Sequence, residues 1–473
     1  MKLKPKHIFY LGSAFTLALL TSSCIPFGGS VGSSPVPTPN PNPSPTPTPP
    51  TPPANGWQIL ASPPIGGGRA NNVGLASDSY GNLYASYQTE SNLTVYRYMF
   101  NQTTPQWQQV ASPLEVSNHS PYSTIAVSNV NDIYLAYTGP NHEAFYLRAL
   151  PDMSGWSSQQ IVQTTLAYTG SAGTIGCATI PARVVNDDAS YVSMALINSG
   201  QQMIAYKDDT YVLSDSQVNP VESNSVCTSP AYDGKGTLSV FVSASMNWSN
   251  ISAGSVSQVR IAATPNNTNS YPIYVAYQDN LNNSSITVQK LSSPQSGAQW
   301  QIVGESGFTG FNANFISIAA DSNGIPYVAY QDAGNNNKLT VQNFTNGAWH
   351  VIGGTNISTG IASYISLAIN AESNIVFVAY QDSGQNNNLF VNQYVPESNV
   401  WIPVGGTIQN LNNNYGTYTA LTVMPNSGEP AMAFQNGAQN VSSSLTVMYS
   451  TVNIPYSQLL NTYGNNIESL RKR

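Results

Sequence analysis

Seven tryptophans, Trp57, Trp107, Trp156, Trp248, Trp300, Trp349 and Trp401, divide this 473-residue chain at intervals of 50, 49, 92, 52, 49 and 52 residues. Between them one phrase recurs. It is clearest as Trp300-Gln-Ile-Val-Gly304, Ile316-Ser-Ile-Ala-Ala-Asp321, Tyr327-Val-Ala-Tyr-Gln-Asp332 and Leu339-Thr-Val-Gln342, after which Trp349 starts it again. A period near fifty that holds four short strand-like runs predicts an all-β chain folded as a β-propeller of four-stranded blades.

We name the four runs A to D outward from the propeller axis. Run A is the Ile316 type, found again at Val73, Ile125, Ile365 and Ala420, with further candidates near Val184, Cys227 and Val259. Run B is the Tyr-Val-Ala-Tyr type at Tyr274, Tyr327 and Phe377, run C the Leu-Thr-Val type, and run D opens on the tryptophan. The interval of 92 reads as two units of 46, in which Tyr211 stands in for the missing tryptophan, so eight blades are expected, with seven as the alternative. Trp57 begins a D run with no A, B or C before it, and the final clear runs complete only three strands of a blade. Pairing Trp57–Leu60 with the last C strand therefore closes the ring and removes an edge that would otherwise invite aggregation. Tryptophans and tyrosines at a fixed register are expected to pack between blades.

The two ends of the chain read differently. Lys2, Lys4 and Lys6 precede an apolar stretch from Ile8 to Leu20, which predicts a signal peptide over 1–23. It closes on Leu20-Thr-Ser-Ser-Cys24, which resembles the lipobox of bacterial lipoproteins, although Thr21 rather than Leu lies three positions before the cysteine. The resemblance implies an acylated (palmitate-bearing) Cys24 as the mature N-terminus, and Ile25 after it fits sorting to the outer membrane. Residues 24–56 are proline-rich and predict a stiff, solvated tether, residues 57–453 the propeller, and 454–473 a tail. Cys177 and Cys227 lie one repeat apart and, in an exported chain, are a disulfide candidate.

Only 8% of residues are charged, and the formal net charge is −7. Nucleic acids and anionic bilayers need concentrated Lys and Arg, so neither is an expected partner, and contact with the membrane is left to the lipid anchor. Function is sought in the connections, since what every unit shares is scaffold. The loops after run B carry Gln278-Asp279, Gln331-Asp332 and Gln381-Asp382, each followed by Asn-rich segments. Carboxylates and amides at equivalent places form a hydrogen-bonding complement to sugar hydroxyls, and these six residues are the candidate ligand-binding set, with turn formation as the plain structural explanation. Oxygen-rich loops also suit Ca²⁺, but no loop has EF-hand spacing, and no cofactor is expected.

Catalytic signatures are missing: there is no HExxH, no G-x-S-x-G elbow, and only His119, His142 and His350 follow the signal. The repeat resembles propeller proteins of bacterial surfaces whose units carry Tyr-Val-Ala-Tyr-x-Asp and Trp-x-x-Val-Gly phrases, most closely over 271–408, and more distantly sialidase and fucose-lectin propellers. It lacks the Asp-boxes and arginine cluster of sialidases and the repeated Arg/Glu sets of fucose lectins, so neither activity is implied. The expectation is a non-catalytic recognition module for glycans or proteins at the cell surface. A periplasmic scaffold for envelope assembly and a carbohydrate-active hydrolase or lyase are the alternatives.

Overall fold

The computed structural model describes residues 56–451, except 61–69, 117–121, 141, 151, 162–183, 187–188, 198–199, 209–210, 213–235, 244–246, 253, 266–271, 293–298, 407, 409–414 and 438–443. The signal segment 1–23, Cys24, the tether, Cys177, Cys227 and the 454–473 tail lie outside the described residues. Among the described residues the chain builds seven antiparallel four-stranded sheets and one separate two-stranded ladder. The innermost A strands are Asn71–Ser77, Ser123–Val127, Ala189–Ile197, Val256–Ala263, Ala313–Ala320, Ala362–Ile369 and Tyr415–Val423, and they number blades 1 to 7. Each packs against the next, and the last packs against the first. This is a closed propeller around an axial channel.

Seven blades, not eight, is the outcome, and blade 3 is where the expectation of eight fails. Its strand A packs directly on the A strands of blades 2 and 4, which leaves no place for another sheet. Thr237–Val242 is the C strand of that blade, separated from its B strand, Gln201–Asp208, by residues 209–236. Val184–Asn186, expected as an A strand, pairs instead with Tyr211–Val212 in the two-stranded ladder. The 92-residue interval is thus a single blade with long connections.

Trp57–Leu60 pairs antiparallel with Ser444–Ser450, Trp57 facing Ser450, and supplies the fourth strand of blade 7. The first visible strand of the propeller and its last are thereby neighbours.

The Tyr-Val-Ala-Tyr phrase follows from sheets covered on both faces. Successive side chains of a strand point to opposite sides, so Tyr327 and Ala329 join the apolar cluster shared with blade 6, while Val328 and Tyr330 join the one shared with blade 4. Seven such clusters fill the seven inter-blade spaces, and the core is distributed around the ring. Burial of each large side chain stabilises by roughly 1.5–3 kcal/mol. The buried Tyr330 hydroxyl accepts from Gln342 of strand C at 2.6 Å, and Tyr277 and Tyr380 are met in the same way by Gln289 and Asn392.

The Trp-x-x-Val-Gly phrase also has a physical reading. The indole N–H of Trp349 donates to the Val303 carbonyl at 2.9 Å, that of Trp401 to Ile352 at 3.0 Å, and that of Trp57 to Val404 at 2.8 Å. In each case the acceptor belongs to the preceding blade, and the next residue is a glycine with positive φ: Gly304, Gly353 and Gly405. A Cβ on Gly304 would sit 3.1 Å from Trp349, and one on Gly405 2.8 Å from Trp57. In these three cases a unit thus ends on the platform that receives the next unit's tryptophan.

Candidate ligand-binding face

The B–C loops and the D–A connectors emerge together on one face, and the six residues singled out from the sequence lie at its base. Asp279, Asp332 and Asp382 each cap a single 3-10 turn: their carboxylates accept from the amides of Leu281, Gly334 and Gly384. The second oxygen of Asp279 and of Asp332 accepts from a strand C threonine, Thr287 at 2.8 Å and Thr340 at 2.9 Å. Asp382 reaches further, taking the amides of Thr359 and Gly360 and the Thr359 hydroxyl from the adjacent connector at 2.7–3.0 Å. Each turn leaves through two left-handed residues, Asn283-Ser284, Asn336-Asn337 and Asn386-Asn387, a conformation that asparagine tolerates better than most side chains. The Asn-rich composition of the loops is therefore explained by backbone geometry.

The glutamines tie blades together. Gln278 donates to the Ala313 carbonyl at 3.0 Å, Gln331 to Ala362 at 2.6 Å and Gln381 to Gly416 at 2.6 Å, in each case the strand A backbone of the next blade. All six side chains are engaged within the protein, and together they fix the loops and the mouth of the channel. Each loop brings one carboxylate, already occupied by amide and hydroxyl donors.

One step further into the channel from these residues, the A strands present a feature the repeat phrase did not reveal. In six blades the pairing of A with B slips by a bulge near the start of A. The residue at the slip has φ between 45° and 54°: Asn72, Tyr191, Gln258, Phe315, Tyr364 and Tyr418. Tyr122 precedes strand A of blade 2 at the corresponding place. Left-handed φ is costly for bulky side chains, on the order of 1 kcal/mol or more each, and its repetition at one height marks a built ring. Five of the seven members are aromatic and partly open to solvent, Tyr418 the most so at 36% exposure.

The rings form two arcs. Tyr122 and Tyr191 have centroids 4.4 Å apart, while Phe315, Tyr364 and Tyr418 follow one another at 5.3 Å. Gln258 and Asn72 separate the arcs. The Gln258 amide donates to Asn314 at 3.0 Å and the Asn72 amide to Ser123 at 3.0 Å, so both are held in place.

Arg260 stands two positions beyond Gln258 on strand A of blade 4. The B-strand residue opposite it is Ala276, and the same register puts Gly74, Thr124, Ser193, Ser317, Ser366 and Ala420 in the other blades. Six blades carry a small residue where blade 4 carries a guanidinium. Three of the serines accept from the amide of the next A strand, at 3.0–3.1 Å from Ile261, Leu367 and Leu421. Arg260 donates to its own strand's Val259 carbonyl at 2.8 Å. It is partly buried, and the loss of hydration lowers its pKa, with the phenols of Tyr122 and Tyr191 as its electrostatic neighbours. Burial and a hydrogen bond with Tyr191 raise the pKa of Tyr122. Of the other described arginines, Arg148 pairs with Asp132 at 3.2 Å and Arg97 donates to Gln108 at 3.1 Å.

One signal for the ring was present in the sequence: Phe315 and Tyr364 stand directly before run A, and Tyr418 two positions before it. It passes unnoticed because run A is recognised from the aliphatic residue after it.

No family model and no curated protein matches the chain. Among solved structures it is similar to a protein of unknown function from Dyadobacter fermentans, at 11% identity over 84% of this chain and 99% of that one, with a TM-score of 0.43. A polysaccharide lyase, an ulvan lyase bound to a GlcA-Rha3S unit, matches at 9% identity over 82% and 95%, with a TM-score of 0.47. The Aleuria aurantia lectin matches at 17% identity over 72% and 96%, with a TM-score of 0.39. These are resemblances of shape, and nothing about this chain's ligand follows from them.

Proposed function

We propose that the chain is an exported propeller, anchored by an acylated Cys24 in the bacterial outer membrane, that acts as a recognition module for glycans at the mouth of its axial channel. The observation that carries this reading is the ring of five partly exposed aromatic side chains, interrupted by two amides, at one height of the A strands. Flat apolar rings with nearby hydrogen-bonding groups are the chemical complement of a pyranose, which has an apolar face and a rim of hydroxyls. In this reading the six Gln and Asp side chains frame the site at the outer rim of the channel. A glycan array probed with the intact protein and with Tyr364→Ala and Tyr418→Ala tests it: binding should be lost or weakened at least tenfold in the variants. Unchanged binding in both would remove the ring from consideration.

The second reading is a carbohydrate-active lyase or hydrolase. It is favoured by the Tyr122 phenol, hydrogen-bonded to Tyr191 beside a desolvated guanidinium. Product formation on the glycans that bind would establish it, and binding without turnover would exclude it. A periplasmic scaffold is distinguished by surface labelling, since an impermeant reagent on intact cells would then fail to reach the propeller.

A further inference from the structure

The ring of aromatic side chains is not symmetric, and its one charged neighbour sets a direction. Arg260 occupies a register position that holds Gly, Ala, Ser or Thr in the six other blades. Its guanidinium donates to the Val259 carbonyl of its own strand, and among the described residues no carboxylate forms an ion pair with it. Charges removed from bulk water are normally paired, because the desolvation cost is otherwise uncompensated. The exposed rings of the second arc lie on blades 5 to 7, whereas Tyr122 and Tyr191, on blades 2 and 3, are the arc beside Arg260.

We infer that the channel mouth takes the acidic end of a saccharide, its terminal carboxylate pairing with Arg260 beside the contacting Tyr122 and Tyr191 rings while neighbouring sugar rings lie on Tyr364 and Tyr418. The inference rests on the glycan reading above and narrows it to a ligand class. A guanidinium offers two parallel N–H donors that match a carboxylate, and a phenol hydroxyl can donate to the same oxygens. One guanidinium suits one anionic group. A densely charged polyanion is disfavoured, because the chain carries a formal net charge of −7 and few basic residues to offset repulsion.

The test is calorimetric titration of the full propeller with two oligosaccharides that differ only at one end, terminal glucuronate against terminal glucose. The acidic form should bind at least tenfold tighter at low salt, and the difference should narrow as salt is raised. Arg260→Gln should abolish that preference by lowering the acidic oligosaccharide's affinity to that of the neutral one. Arg260→Lys, which keeps the charge but not the planar fork, should retain part of it and serves if the glutamine variant does not fold. Tyr364→Ala should weaken both oligosaccharides by a similar factor. Equal affinity for the two ends, or a preference that survives Arg260→Gln, overturns the anion assignment and leaves the glycan reading standing. Failure of both to bind the folded wild type overturns the two together.

Discussion

The Trp57 indole N–H donates to the Val404 carbonyl at 2.8 Å, which joins residues 347 positions apart. The same bond links Trp349 to Val303 and Trp401 to Ile352 between blades that are consecutive in the chain. At Trp57 it also fastens the ring. Trp57→Ala and Trp349→Ala should each cost about 3–5 kcal/mol, the range for truncating a packed aromatic. Only the first loosens the strand that covers Ser444–Ser450 and frees a sheet edge. Light scattering during a thermal ramp should therefore rise with protein concentration for Trp57→Ala and not for Trp349→Ala. Equal scattering would show that the N-terminal strand is dispensable for closure.

Gly353 and Gly354 offer a comparison between neighbours. Both have left-handed φ, 68° and 80°. A Cβ on Gly354 meets nothing within 4 Å, whereas one on Gly353 overlaps the Trp401 indole. Gly354→Ala should cost about 1 kcal/mol through its backbone alone. Gly353→Ala should cost roughly 2 kcal/mol more, since overpacking adds to the same conformational penalty. Urea titration of the two variants measures the difference.

The three turn-capping aspartates should not be equivalent. Asp332 accepts from one amide and one hydroxyl, while Asp382 also holds the connector through Thr359 and Gly360. Asp332→Ala is expected to cost about 1 kcal/mol and Asp382→Ala about 2 kcal/mol. Hydrogen exchange at the Gly360 amide should accelerate in the second variant alone.

Glu429 gives the fold a pH dependence. Burial pushes its carboxyl up to about 7, only partly opposed by a hydrogen bond from Ser450. Because the folded pKa lies above the unfolded one, the folded state holds the proton longer. Stability is then greatest below the ordinary glutamate range, falls as pH rises from there to about 7, and stays flat beyond. Glu429→Gln should unfold at a temperature that no longer falls across that window, and should exceed the wild type at pH 8. Parallel melting curves for the two proteins would refute the assignment.

The sequence announced the architecture because its period is written in residues that have inter-blade work to do: tryptophan on glycine, and tyrosine on either side of a covered strand. Closure by Trp57 was readable for the same reason. The count went astray where blade 3 carries long connections, since spacing alone does not distinguish an inserted loop from another unit. The site was less legible. Gln278, Gln331 and Gln381 stand out as a pattern, yet repetition at one register is what a frame requires, and each binds the next blade's backbone. The aromatic ring depends on a bulge, which places a residue by a slip of pairing and leaves little trace in hydrophobic periodicity.

That bulge has a bearing on how such a protein can change. At Tyr364 the backbone is left-handed at 51°, a conformation asparagine adopts with less strain, and the ring touches Phe315 and Tyr418 rather than the packed space between blades. Replacing it with asparagine would relieve strain of about 1 kcal/mol and forfeit aromatic contacts of about the same size. Folding is nearly indifferent to what stands there. Tyr364 can therefore be exchanged with the scaffold untouched, so that ligand preference can drift at this position while the propeller beneath it stays the same.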